Sequence, residues 1–86
     1  MLLNYQQMGQ GSDVVLIHGL FGSLENLNVI ANALSDHFLV TNIDLRNHGR
    51  SPHAATMDYP SMAHDVIDLM DNLNIEQAHI VGHSMG

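Results

Sequence analysis

Near the end of the chain stand Gly82-His83-Ser84-Met85-Gly86. A serine hydroxyl is a poor nucleophile. It needs exposure, a base to take its proton, and donors for the oxyanion that its attack creates. A Gly-x-Ser-x-Gly run between a strand and a helix supplies the exposure: the chain turns sharply there, and flanking glycines allow close approach. Ala78-His79-Ile80-Val81, just before it, reads as a short strand, so the required context is present. Ser84 is therefore the candidate nucleophile. The plainer reading, a Gly-Ser loop that caps a helix, is weakened by the motifs upstream.

The first of these is His18-Gly19-Leu20-Phe21-Gly22, which follows the aliphatic run Val14-Val15-Leu16-Ile17. A loop at that place can turn a backbone N–H toward the serine, and its glycines keep the backbone accessible. Met85 offers a second N–H at a helix N-terminus, where the dipole favours negative charge. The amides of Leu20 and Met85 would together form an oxyanion hole. An ordinary strand-to-helix loop capped by Ser23 is compatible with this, since the hole uses backbone alone.

A base is harder to find. None of the seven histidines stands with a second ligand at metal spacing around a glutamate, so zinc hydrolysis has no support. His83 neighbours the serine but should point away from Oγ at such a turn. His79 falls within a strand, and His37, His53 and His64 read as surface residues. Asp44 ends a strand on the edge where active sites of open parallel sheets gather. It resembles a catalytic acid by position. The favoured reading is that Asp44, Arg46, His48 and Ser51 knit a loop by hydrogen bonds and an ion pair.

The elements that must position these residues follow from the hydrophobic pattern. Val14–Ile17 fits a strand buried on both faces, as parallel strands are. From Ser23, an expected N-cap, Leu24, Leu27, Ile30, Ala31 and Leu34 recur at helical spacing. Residues 38–43 form a second strand closed by Asp44, and 46–56 a loop broken by Gly49 and Pro52. Pro60 suits the first turn of a helix. That helix carries Met62, Val66, Met70 and Leu73 as an apolar stripe, with Ala63 and Ile67 beside it and Asp65, Asp68, Asp71 and Asn72 on the wet side. Residues 78–81 are the third strand. Alternation of this kind implies parallel pairing with right-handed crossovers. Residues 4–8 are expected to add an antiparallel edge strand.

Composition bounds the rest. The chain has 86 residues, enough for one small domain, and no cysteine, which excludes disulfides and suits a reducing cytoplasm. Arg46 and Arg50 are its whole basic complement, and the formal charge is −7. Nucleic-acid and anionic membrane surfaces need clustered cations, so neither is an expected partner. No signal peptide or membrane-spanning run is read from the sequence.

Three motifs together carry a family resemblance: residues 15–23, then Asp44-Leu45-Arg46-Asn47-His48-Gly49-Arg50-Ser51, then Gly82–Gly86. In order and spacing the chain resembles the α/β-hydrolase superfamily, and within it the small bacterial acyl esterases and thioesterase-like relatives. The resemblance implies a mostly parallel, doubly wound sheet, of which residues 1–86 are the N-terminal half of a single domain ending at the nucleophile. It implies Ser84 as nucleophile, Leu20 as first oxyanion donor, and Phe21 in the acyl pocket or as the alternative donor. It also implies a loop at 44–51 that is not catalytic. The family's acid and histidine follow the serine, so both are expected beyond residue 86. The implied substrate is a small acyl ester or thioester, with no cofactor. A non-catalytic ligand receptor of the same fold, or an inactive truncated fragment, are the alternatives.

Overall fold

A computed structural model describes residues 2–19 and 22–82. Four strands, β1 (Tyr5–Met8), β2 (Ser12–Ile17), β3 (Phe38–Ile43) and β4 (His79–Gly82), form one sheet in the order β1-β3-β2-β4. β2 pairs in parallel with β3 and with β4, while β1 pairs antiparallel with β3. The expected edge strand near the N-terminus is thus present, and β2 lies inside the sheet.

The sheet is covered on both faces, which is why β2 reads as an unbroken apolar run. Val14 and Leu16 pack with Val40, Leu27 and Ala31 under α1 (Asn28–Leu34). Val15 points the other way and packs with Leu3, Ile43, Leu45, Met62, Val66 and Leu69 against α2 (Tyr59–Asn72). Alternate side chains of one strand thereby feed two cores.

The first helical segment opens differently from the expectation. Ser23 is its N-cap, but Leu24–Leu27 form a 3₁₀ turn before α1 begins. Asn26 supplies the reason: its Oδ1 accepts the Ser23 amide at 2.8 Å, and its own amide donates to the Ser23 carbonyl at 3.1 Å. Ile30, placed on the stripe by periodicity, is exposed, because the α-helical phase starts only at residue 28.

α2 is capped by Asp58, whose Oδ1 accepts the Ser61 amide at 2.7 Å, with Pro60 in the first turn as expected. Its buried face is Met62, Asp65, Val66 and Leu69. Asp65 was expected on the wet side and is instead 3% exposed. It lies three residues after Met62 and four before Leu69, which is the same face of a helix. β4 is the open edge among the described residues, with Ile80 and Val81 exposed. No helix among the described residues is long and apolar enough to cross a membrane.

Candidate active site

Ile17 and Gly82, the last residues of β2 and β4, are register partners on parallel strands. Both strands therefore end on the same edge of the sheet, side by side. β3 ends there too, since Ile17 also pairs with Ile43. The segments that sequence analysis singled out begin at these three ends: His18-Gly19 after β2, Asp44 after β3, and His83 after β4. Ser84, Leu20, Phe21 and Met85 themselves lie outside the described residues.

His18 is fully buried. Its Nε2 accepts the Leu45 amide at 3.0 Å, so the ring hydrogen sits on Nδ1, which donates to the Gly19 carbonyl at 2.6 Å. Gly22 donates its amide to the same carbonyl at 3.0 Å. Burial holds the His18 pKa below its ordinary value, and the neighbouring His48, whose ring centroid is 5.0 Å away, adds to this. The hydrogen bond to Gly19 and the Asp44 charge oppose it. A neutral ring is what the Leu45 amide requires.

Asp44 is 2% exposed and receives donors from three parts of the chain. The Leu24 amide reaches Oδ1 at 2.7 Å, while Asn4 Nδ2 and the Arg50 amide reach Oδ2 at 2.9 and 3.0 Å. Burial alone would raise its pKa. The amides of Leu24 and Arg50, the Asn4 side chain and His18 together bring it below the ordinary value. Ser51 completes the knot: its hydroxyl donates to the Asp44 carbonyl at 2.6 Å and accepts the Asn4 amide at 2.8 Å. Gly49, at φ 50°, leaves the space the carboxylate fills, since a Cβ there would collide with it. A carboxylate so occupied is a structural clamp, in keeping with the non-catalytic reading of this loop.

The ion pair of the loop differs from the one expected. Arg46 reaches out of the loop to Asp65 on α2, Nε to Oδ2 at 2.6 Å and one terminal nitrogen to Oδ1 at 2.9 Å. Its other terminal nitrogen donates to the Thr56 carbonyl at 3.0 Å. This two-pronged geometry suits arginine and not lysine. The signal in the sequence was the spacing of Asp65 from Met62 and Leu69, in a chain with only two arginines. His37, His53 and His64 are exposed, as expected, and His79 in β4 is exposed too. Asn4, which joins Ser51 to Asp44, had no signature in the sequence.

An open apolar cleft of about 630 Å³ runs along α2 beside the β4 edge, lined in part by Ile17, Leu45, Met62, Val66 and Ile80.

Comparison with known proteins gives the arrangement its context. The α/β-hydrolase fold family matches residues 14–86. The chain is 47% identical over 81 residues to Esterase YbfF of Escherichia coli K12, covering 94% of this chain and 32% of that protein. It is 44% identical over 84 residues to the sn-1-specific diacylglycerol lipase ABHD11 of Xenopus tropicalis, covering 95% and 26%. Among solved structures, a marine microorganism esterase superposes with a TM-score of 0.95 at 46% identity, covering 99% of this chain and 33% of that one. The chain thus spans between about a quarter and a third of the length of these relatives. With both its motifs and its sheet matched, the chain belongs to the α/β-hydrolase fold family.

Proposed function

We propose that residues 1–86 are the N-terminal part of a single α/β-hydrolase domain that hydrolyses small carboxylic esters or thioesters through an acyl-enzyme on Ser84. The observation that carries this is the Ile17–Gly82 register. It puts the ends of β2 and β4, the strands that precede Leu20 and Ser84 in the sequence, side by side on one edge. The exposed Ile80 and Val81 and the adjoining apolar cleft are surfaces for the rest of that domain to cover.

In the proposed mechanism Ser84 Oγ attacks the acyl carbonyl carbon, and its proton passes to a base supplied by residues after 86. The carbonyl oxygen, now anionic, accepts the amides of Leu20 and Met85. Collapse expels the alcohol or thiol, which takes the proton, and leaves Ser84 acylated. Water then attacks with the same base, releasing the acid and restoring the hydroxyl. Phe21 lines the acyl pocket. The chemistry calls for no cofactor.

The test is a fluorophosphonate probe applied to the complete domain. Stoichiometric labelling at Ser84, abolished in Ser84→Ala, is the expected result. A folded protein that binds acyl esters without labelling or turnover would instead be a ligand receptor.

A further inference from the structure

Leu24 opens the 3₁₀ turn and is buried, and side chains at the end of β3 hold both polar groups of its backbone. Its amide donates to Asp44 Oδ1 at 2.7 Å, and its carbonyl accepts Asn42 Nδ2, also at 2.7 Å. Asn42 and Asp44 stand two apart, so both reach the same face of the sheet. Asn42 is fully buried there. It also donates to Asn28 Oδ1 at 3.3 Å, at the far end of the turn, while its own Oδ1 has no partner among the described residues. An orphaned acceptor in the interior is unfavourable. What the side chain supplies at that cost is its pair of donors.

Those donors bear on a choice between two windings. In an α-helix the Leu24 carbonyl would accept the amide of Asn28, four residues on. Here the Asn28 amide goes to the Glu25 carbonyl instead, and Asn42 serves Leu24. The apolar pattern does not demand this. Leu24, Leu27, Ala31 and Leu34 fall at i, i+3, i+7 and i+10, the spacing of one α-helical stripe. Nor does the Ser23–Asn26 capping box, a device that opens ordinary α-helices.

We propose that residues 24–27 are a two-state element, 3₁₀ or α, and that the Asn42 side chain selects the 3₁₀ state. Without its donor the buried Leu24 carbonyl lacks a partner, and reclaiming the Asn28 amide satisfies it. A 3₁₀-helix rises about 2.0 Å per residue and an α-helix about 1.5 Å, so rewinding four residues draws Ser23 about 2 Å toward α1. The move pulls Leu24 from Asp44, so Asn42 and Asp44 hold one state together. Because Asp44 directly follows β3, the device sets a spacing at the edge where β2 and β3 end.

The experiment compares crystal structures of the complete domain as wild type and as Asn42→Leu, which keeps the bulk and removes both donors. In the variant the Asn28 amide is expected within about 3.0 Å of the Leu24 carbonyl, with Ser23 about 2 Å nearer α1. A folded Asn42→Leu whose Asn28 amide still bonds to Glu25 overturns the proposal. Should the leucine not be tolerated, Asn42→Ser, with a hydroxyl too short to reach the turn, takes the same test. A wild-type crystal structure with Asn28 already bonded to Leu24 also overturns it, since the turn would then be α with Asn42 in place.

Discussion

The Leu45 backbone amide donates to Nε2 of His18 across 3.0 Å, joining the end of one parallel strand to the loop after the next. The bond exists only while the ring is neutral, so the complete domain should lose stability in mild acid. With its folded pKa held below 6.5, His18 takes up its proton more readily when unfolded. Its contribution is whole above about pH 6.5 and is lost progressively as the pH falls from there toward the folded pKa. Each unit of difference is worth about 1.4 kcal/mol. Urea unfolding across this range should show that slope, and His18→Asn should flatten it.

Asp44 is expected to matter for stability in a lower pH window. Its folded pKa is depressed below the ordinary 3.8, so its contribution is present above that value and is lost as the pH falls through the folded pKa. Asp44→Ala leaves the Leu24, Arg50 and Asn4 donors without their acceptor. A loss of roughly 3 kcal/mol follows, at about 1 kcal/mol for each of three hydrogen bonds. Chemical denaturation at neutral pH is the measurement.

Gly49→Ala should destabilise by about 1–3 kcal/mol. The residue holds φ 50°, and a Cβ there collides with the Asp44 carboxylate, so both backbone and clamp must shift. An unchanged melting temperature would show that the 44–51 loop relaxes freely.

Ser84→Ala should reduce ester turnover by about four to six orders of magnitude while leaving the melting temperature nearly unchanged. Retention of most of the activity would take Ser84 out of the nucleophile role.

Residues 1–86 expressed alone are expected to show neither ester turnover nor a cooperative transition. The apolar edge at Ile80 and Val81 stays open, and Ser84 has no base. Near-UV spectra, dye binding and an esterase assay decide it. A cooperative monomer with turnover at the rate of the complete domain would refute both halves.

Much of the fold was legible in the sequence. The β2 run is continuous because Val14, Val15 and Leu16 feed two cores, and Pro60 marks the start of α2 by its missing N–H. What escaped was set by single side chains acting at a distance. Asn26 tightens the entry to α1 into a 3₁₀ turn, and Arg46 draws Asp65 into the interior. Periodicity sees the helix phase but not the partner that makes a buried carboxylate tolerable. The clamp at Asp44 was legible as a knot, whereas its tie to Asn4 was not, since that bond joins residues 40 apart. The residues assigned to the chemistry rest on their motifs and on the strand ends they follow.

The same clamp has a bearing on how the molecule opens. The three donors to Asp44 come from 40, 20 and 6 residues away along the chain. The carboxylate gives up water only when all three segments have arrived, and none can leave without stranding a charge among the others. The backbone amides of Leu24 and Arg50 should therefore exchange their hydrogens with solvent at one common free energy, as a single cooperative unit, although they belong to separate loops.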